Sequence, residues 1–133
     1  MILLDTSVLI PAVRGTGSEP LQRLVTALQG QDFAITRVTE LELLQGARDE
    51  VEWSRLPTFL AAQEILDVGH TMWLEAARIR FELRRKGVTI ASVLDCCIAQ
   101  IAMARGLLLV HNDSDFEKIT GIRPLKQQRL SAL

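Results

Sequence analysis

Two short apolar runs in this chain are followed by aspartates. Residues 2–4 lead directly into Asp5, and residues 107–110 are followed by Asp113 and Asp115. If the two runs are neighbouring strands of a parallel sheet, their carboxyl ends share one edge and the carboxylates converge there. An aspartate at the end of a strand also caps a following helix well. Taken alone, Asp5 therefore leaves helix capping and metal binding equally open.

A third acid, Asp95, lies near the start of a predicted helix over residues 92–105. Ser92 precedes it as in a capping box, although aspartate is a poorer partner there than glutamate or glutamine. Asp95 nevertheless shares a helical side with apolar residues, namely Ile98, Ala99 and Ala102. A carboxylate that points inward near a helix N-terminus is favoured in its ionised form and is suited to a hard cation.

A predicted helix over residues 38–48 supplies two further candidates, Glu40 and Glu42. Their side chains point about 200° apart, so only one is expected to face a common site. Gly46 lies one turn beyond Glu42 and leaves room beside it, which favours Glu42. The apolar stripe lies nearer Glu40, so periodicity leaves both open; its members are Val38, Leu41 and Leu44.

Clustered carboxylates repel one another unless they are protonated or bound to cations. Mg²⁺ uses few carboxylates, keeps several waters and accepts phosphate oxygens as its remaining ligands. It can activate a water and stabilise the oxygens of an in-line displacement at phosphorus. The chemistry that this set of acids predicts is phosphodiester hydrolysis.

The elements that must position these acids alternate along the chain. Strands are predicted at residues 2–4, 33–36, 64–68, 107–110 and 122–125. Helices are predicted from residue 6 to about 12 and at 19–29, 38–48, 50–62 with a break at Pro57, 70–86 and 92–105, and residues 14–18 are predicted to form a loop. This alternation predicts an α/β fold with a parallel sheet of four to five strands covered on both faces.

Length and composition favour one soluble domain over residues 1–133. Apolar residues make up 48 % and charged residues 23 % of the chain, which is ordinary for a globular protein. The formal net charge of -1 gives no general attraction to nucleic acid, so RNA binding would need a local basic patch or metal ions. Cys96 and Cys97 are adjacent and are predicted to be free thiols, which fits a reducing compartment. The N-terminus lacks the pattern of a signal peptide, and no run is long enough to span a membrane, so we expect a cytoplasmic protein.

Four segments together resemble the motifs of the PIN-domain nucleases, and within them the VapC-type toxins of bacterial and archaeal toxin–antitoxin pairs. The segments are residues 4–10 (LDTSVLI), 39–47 (TELELLQGA), 95–102 (DCCIAQIA) and 109–116 (LVHNDSDF). The second segment matches best with Glu42 as its acid. The order and spacing extend over nearly the whole chain, and the resemblance implies a PIN-like three-layer α/β/α fold.

The resemblance also implies a Mg²⁺- or Mn²⁺-dependent endoribonuclease. Its catalytic and metal-binding residues would be Asp5, Glu42, Asp95 and an acid of the last segment, for which we choose Asp113, with Asp115 as the alternative. Thr6 or Ser7 would position a ligand or water beside Asp5. Arg14 is a candidate RNA contact only through its closeness to Asp5 in the sequence. His111 stands where the family often has threonine or serine, and we interpret it as a packed or surface histidine rather than a base.

The partners that the resemblance implies are an RNA substrate, a second copy of the chain and a cognate antitoxin that covers the active-site groove. The alternative is an inert PIN-like module that binds RNA or a protein without cleaving. A dehalogenase-like phosphatase would need a second acid where Ser7 stands.

One helix segment is rich in basic residues, namely Arg78, Arg80, Arg84, Arg85 and Lys86, set against Glu75 and Glu82. We interpret it as a solvated helix face, with contact to RNA phosphate or to an acidic antitoxin segment as the alternative.

Overall fold

The computed structural model describes residues 1–14, 17–67 and 69–130. Five strands form its sheet: β1 (Ile2–Leu4), β2 (Phe33–Thr36), β3 (Glu64–Leu66), β4 (Leu108–His111) and β5 (Gln127–Arg129). Their order is β3-β2-β1-β4-β5, and every neighbouring pair is parallel. The predicted α/β architecture with a parallel sheet is confirmed.

Seven helices in the described residues connect and follow these strands. They are α1 (Thr6–Val13), α2 (Glu19–Ala27), α3 (Arg37–Gln45), α4 (Glu50–Ala61), α5 (His70–Arg85), α6 (Val93–Arg105) and α7 (Ser114–Thr120). None of these helices combines the length and the apolar character needed to cross a membrane. The loop predicted at residues 14–18 includes residues 15 and 16, and the strand predicted to end at residue 68 includes that residue; these three lie outside the described residues.

Two local predictions are wrong. Helix α4 continues through Pro57, because Leu56 and Leu60 are buried in the hydrophobic core and offset the one helical hydrogen bond that proline removes. The fifth strand lies at Gln127–Arg129, not at residues 122–125. Leu125 is buried in the core, but the residues that pair with β4 at the sheet edge are polar and carry no hydrophobic signal.

The sheet separates two hydrophobic clusters. Successive residues of a strand point to opposite faces, and in β1 this places Leu3 in one cluster and Ile2 and Leu4 in the other. The Leu3 face packs against α5, α6 and α7, whose buried contributions include Ile79, Ile98 and Phe116. The opposite face packs against α1, α2 and α4, whose contributions include Leu9, Leu24 and Leu60. This is the three-layer α/β/α arrangement.

The order of strands reverses between β1 and β4. From β1 the chain adds β2 and β3 on one side, and it then returns to place β4 on the other side of β1. Leu4 is in register with Val110, and the amide of Asp5 donates to the carbonyl of Val110 at 3.0 Å. The carboxyl ends of these two strands therefore meet, which confirms that the aspartates following them lie at one edge of the sheet.

Candidate active site

Asp5 both caps a helix and presents a carboxylate oxygen without a partner. Its Oδ2 accepts a hydrogen bond from the amide of Ser7 at 3.0 Å, which caps the N-terminus of α1. Its Oδ1 is buried and accepts no hydrogen bond from the described residues. A buried acceptor left in this way costs free energy unless something else satisfies it. The two interpretations of Asp5 are thus compatible, because each uses a different oxygen.

Helix α3 directs Glu42, not Glu40, toward Asp5. Oε1 of Glu42 accepts a hydrogen bond from the hydroxyl of Thr6 at 2.7 Å, which places this carboxylate beside the N-terminus of α1. Glu40 instead forms an exposed ion pair with Arg37, with a shortest N–O distance of 3.0 Å. Periodicity left open whether Glu40 or Glu42 faces the site, and the direction of α3 relative to β1 decides for Glu42.

Three aspartates converge beyond β4. One carboxylate oxygen from each of Asp95, Asp113 and Asp115 lies within 4.8 Å of the others. Asp95 enters from the first turn of α6, where Ser92 rather than Asp95 caps the helix by accepting from the amide of Leu94 at 3.1 Å. The carboxylate of Asp95 is buried, and no described residue donates a hydrogen bond to it.

Asp113 and Asp115 both belong to this cluster but differ in their contacts. Asp113 caps α7 through Oδ1, which accepts from the amide of Asp115 at 2.9 Å. Asp115 is buried; its Oδ2 accepts from the amide of Ala91 at 2.8 Å, and its Oδ1 lies 3.4 Å from Nζ of Lys118. The carboxylate of Asp115 is thus held on both oxygens by protein, whereas only one oxygen of Asp113 is.

Burial and the charges of neighbouring acids raise the pKa values of Asp5, Glu42 and Asp95. Burial raises the pKa of Asp95 to about 8, and the neighbouring charges of Asp5 and Asp113 add to this shift. Burial also raises the pKa of Asp5 and of Glu42, and the negative charge of Asp113 acts on both in the same direction. Although Asp5 and Glu42 lie outside the closest trio, they therefore share its electrostatic environment. A cation is the group that would relieve this repulsion.

The hydroxyl of Ser7 and the imidazole of His111 hold the ends of β1 and β4 in place, which the sequence did not predict. Oγ of Ser7 accepts from the amide of Asn112 at 2.8 Å, which joins the turn after β1 to the turn after β4. His111 is fully buried; its Nδ1 accepts from the amide of Asp113 at 3.1 Å, and its Nε2 lies 2.6 Å from Oε1 of Gln127. Of the two interpretations given for His111, packed or surface, the structure agrees with the packed one. Thr6 and Ser7 thus have protein partners, while their roles toward a ligand stay predictions.

Arg14 follows the C-terminal end of α1, and no hydrogen bond joins it to the acids of the site among the described residues. Its Nη2 is 3.5 Å from the carbonyl of Gly46, the residue that ends α3. A Cβ at Gly46 would lie 3.0 Å from the carbonyl of Glu42 and 4.0 Å from Nη2 of Arg14. The glycine therefore allows close packing around the turn that carries Glu42, as its spacing indicated. The predicted RNA contact of Arg14 stays a prediction.

The two thiols do not add to this chemistry. Cys96 and Cys97 are free, as predicted, and both are buried. Burial raises the pKa of Cys96 to about 12 and raises that of Cys97 as well, so neither forms the reactive thiolate near neutral pH.

The donor set fits a hard divalent cation. It consists of carboxylate oxygens, which Mg²⁺ and Mn²⁺ favour, and it contains no thiolate or imidazole aimed at the same point among the described residues. The unpartnered Oδ1 of Asp5 and the raised pKa of Asp95 are what such a site shows without its cation. The chain is therefore of the class of α/β/α proteins whose acids gather at the point where the strand order reverses.

Comparison with known proteins defines this class further. A family model described as PIN domain matches residues 2–122. The chain is 33 % identical over 130 residues to ribonuclease VapC11 of Mycobacterium tuberculosis, strain H37Rv, an alignment that covers 95 % of this chain and 96 % of that protein. It is 31 % identical over 126 residues to the tRNA(fMet)-specific endonuclease VapC of Salmonella typhimurium, covering 91 % and 93 %. The chain belongs to the PIN-domain family, and within it to the VapC group.

Solved structures agree with this assignment. The crystal structure of DNA-bound VapBC from Salmonella typhimurium matches with a TM-score of 0.72 at 28 % identity, covering 97 % of this chain and 98 % of that one. VapBC2 from Rickettsia felis, bound to a promoter DNA fragment, gives the same TM-score at 24 % identity, with 98 % and 100 % coverage, and supports the fold.

Proposed function

We propose that this protein is a metal-dependent endoribonuclease and the toxin of a VapBC-type toxin–antitoxin pair. The observation that carries the proposal is the convergence of Asp95, Asp113 and Asp115 within 4.8 Å beside Asp5, whose buried Oδ1 has no partner in the described residues. The names of the related VapC proteins, a ribonuclease and a tRNA(fMet)-specific endonuclease, support RNA as the substrate class.

The residues proposed to hold the metal are Asp5, Asp95 and Asp113. Glu42 and Asp115 are the neighbouring acids of the same site. Mg²⁺ or Mn²⁺ would supply an activated water and charge stabilisation at the phosphorus. Asp5 offers its free Oδ1, and Asp95 enters the site from an apolar helix face. Asp115 is held by Ala91 and Lys118, so its main effect is to fix the first turn of α7, which carries Asp113.

Glu42 differs from the three aspartates because Thr6 orients it. Burial and the neighbouring acids raise the pKa of Glu42, which favours exchange of a proton with a water or with the leaving oxygen. We therefore assign Glu42 the positioning of the attacking water, with Thr6 fixing the direction of its carboxylate.

The proposal is tested by cleavage of total RNA with and without Mg²⁺ or Mn²⁺, using the parent protein, Asp5→Asn and Asp95→Asn. Asp32→Asn, an exposed aspartate before β2, is the matched control for loss of one carboxylate. We expect metal-dependent cleavage by the parent and the control, and its loss in the two site variants. Equal cleavage by folded Asp5→Asn and Asp95→Asn would show that the site is wrong.

An inert PIN-like module would bind no divalent ion. Isothermal titration of Mn²⁺ into the parent distinguishes the two possibilities, because the proposed enzyme binds the ion and Asp95→Asn binds it more weakly. No heat of binding in the parent, together with no cleavage, would favour the inert module.

The proposed partners are an antitoxin and a second copy of the chain. The matched crystal structure from Salmonella typhimurium is that of a VapBC complex, which supports an antitoxin. The product of a small reading frame beside the gene is expected to co-purify with this chain and to inhibit its cleavage of RNA. Sedimentation velocity of the isolated chain tests the proposed homodimer.

A further inference from the structure

The last two turns of α5 carry an exposed phenylalanine among cationic side chains. We define the basic–aromatic surface as the residues that line one open groove here: Arg78, Phe81, Glu82, Arg85 and Lys86. The guanidinium of Arg78 lies 4.9 Å from the ring centroid of Phe81, and that of Arg85 lies 5.8 Å from it. Phe81 is nevertheless 39 % exposed. A large apolar group is thus left in solvent where two cations already lie beside it.

The net charge of this surface is positive. Its one acid, Glu82, accepts hydrogen bonds from both terminal nitrogens of Arg123 at 2.9 Å and from Nε of Arg78 at 2.9 Å. These bonds lower the pKa of Glu82 to about 2, so its charge is present and is neutralised by the two arginines. Arg85 and Lys86 have no carboxylate partner among the described residues. Their charges are therefore available to a ligand.

The basic–aromatic surface and the acidic site lie at the two ends of one short connection. Lys86 begins the connection from α5 to α6, and the same connection is tied to α7 near its other end. Ala91 donates its amide to Oδ2 of Asp115 at 2.8 Å, and Lys118 donates to the carbonyl of Thr89 at 3.0 Å. The backbone between Lys86 and Ala91 spans at most about 18 Å. One bound strand can therefore reach both the surface and the acids.

These features fit a single-stranded RNA better than an acidic protein segment. Single strands bind to surfaces that offer cations for phosphates and an aromatic face for bases, and arginine planes add to the stacking. An acidic peptide would use Arg85 and Lys86 but has no need of the exposed ring of Phe81. The acids of the site repel a phosphodiester, and the chain's net charge of -1 offers no general attraction. A local positive surface within reach of the site supplies the attraction for phosphates that the acids and the net charge do not.

We propose that the basic–aromatic surface is an exosite that binds a single-stranded segment of the RNA substrate beside the acidic site. Arg85 and Lys86 contact phosphates, and Phe81 with Arg78 provides the stacking platform. The inference rests on the proposed ribonuclease function, and it assigns substrate binding to residues outside the four motif segments.

The test is fluorescence anisotropy with a fluorescein-labelled, mixed-sequence single-stranded RNA of about 20 nucleotides, long enough for such a surface. Binding is measured in EDTA, so that no cleavage occurs, at several salt concentrations. The variants are Phe81→Leu, which keeps apolar bulk without the ring, and Arg85→Gln/Lys86→Gln. The matched control is Arg23→Gln/Arg105→Gln, which removes two exposed charges from α2 and from the far end of α6.

We expect Phe81→Leu to weaken RNA binding about fivefold or more, as the loss of one stacked base does. The double variant is expected to weaken it about tenfold and to reduce the salt slope by roughly 1.4, the value for two phosphate contacts on a single strand. The control should change affinity less than about twofold. Circular dichroism checks that each exposed substitution leaves the fold intact.

Several results would overturn the exosite. They are parent-like RNA affinity in both surface variants, absence of RNA binding by the parent, or equal losses in the control. Unchanged RNA affinity with lost affinity for poly-glutamate would identify a protein-docking surface instead. A dimer that becomes monomeric in Phe81→Leu with unchanged RNA affinity would identify an interface between copies. Cleavage by the parent with Mg²⁺ or Mn²⁺, measured in parallel, separates failure of the exosite from failure of the ribonuclease proposal.

Discussion

The hydroxyl of Thr6 donates a 2.7 Å hydrogen bond to Oε1 of Glu42, across thirty-six positions of the sequence. Thr6 is buried in the first turn of α1, directly after Asp5, so its position is fixed by β1. Glu42 lies on α3, which follows a different strand. The contact therefore fixes the orientation of the Glu42 carboxylate, in the second motif segment, through Thr6 in the first.

Thr6→Val is expected to reduce RNA cleavage about tenfold, because a hydrogen bond to a charged group is typically worth about 1.5–3 kcal/mol. Valine keeps the shape of threonine and removes the donor. Thr6→Ser keeps the donor and should retain most of the activity. The measurement is the initial rate of cleavage at saturating Mg²⁺. A Thr6→Val protein as active as the parent would show that Glu42 needs no orientation by Thr6.

Asp95→Asn is expected to lower cleavage by about 100-fold or more and yet to stabilise the metal-free protein. The substitution removes a buried carboxylate that four neighbouring acids destabilise, namely Asp5, Asp113, Asp115 and Glu42. Without metal, the melting temperature should rise by about 3–6 °C at pH 8. The control Asp32→Asn should change neither activity nor melting temperature. A lower melting temperature for Asp95→Asn in EDTA would contradict the electrostatic account of the site.

The stability of the metal-free protein is expected to fall as pH rises from about 5 to about 8. The native pKa of Asp95 is raised to about 8 from an ordinary value of 3.8, so between these values the native state holds a proton that the unfolded state has lost. The raised pKa values of Asp5 and Glu42 act with the same sign. Melting temperatures in EDTA measure the effect, which should be smaller in Asp95→Asn.

Added Mg²⁺ or Mn²⁺ should raise the melting temperature more at pH 8 than at pH 5, since the ion competes with the proton for the same oxygens. Stabilisation by the ion that is equal at both pH values, or larger at pH 5, would argue that it binds away from these acids.

Sequence patterns predicted most of the fold because its strands are apolar and its connections are regular. The runs that became β1 and β4 are buried on both faces, so composition alone marked them. The edge strand Gln127–Arg129 is polar and pairs with a single neighbour, and no periodicity distinguished it from a loop. Pro57 indicated a break that tertiary packing overrides.

The sequence indicated which acids could form the candidate site, but it did not indicate the contacts that orient them. Asp5, Asp95 and Asp113 lie at element ends, where local sequence gives their positions. The hydrogen bonds of Thr6 to Glu42 and of Ser7 to Asn112 join residues far apart in sequence, so spacing carries no trace of them. Asp113 was preferred to Asp115 only through the resemblance, because the contact that distinguishes the two joins Asp115 to Ala91 in another loop.

The pair of His111 and Gln127 is expected to stabilise the turn that carries Asp113. Because the amide of Asp113 donates to Nδ1, that nitrogen must be unprotonated, and the neutral ring donates from Nε2 to Oε1 of Gln127. Gln127→Leu leaves this buried donor without a partner and should lower the free energy of unfolding by about 1–3 kcal/mol. Urea denaturation measures the change. Gln128 is the exposed neighbour of Gln127 in β5, so Gln128→Leu is the control and should leave the free energy of unfolding nearly unchanged.

Gly46→Ala is expected to impair the site through its backbone. Gly46 has an ordinary helical φ of -83°, so alanine meets no conformational barrier there. Its Cβ would nevertheless lie 3.0 Å from the carbonyl of Glu42, which must shift to accept it. We expect a loss of about 1–3 kcal/mol in the free energy of unfolding, as for other overpacked positions, with reduced RNA cleavage. Gly69→Ala is the control for adding a methyl group, because Gly69 has a φ of -77° and no atom of the described residues lies within 4 Å of its Cβ. Its expected cost is about 1 kcal/mol or less, for replacing the glycine N-cap of α5, and RNA cleavage should not change. If Gly46→Ala is as stable and as active as Gly69→Ala, the turn after Glu42 has room for a methyl group. The close contacts of Gly46 with the carbonyl of Glu42 and with Arg14 would then play no part in placing Glu42.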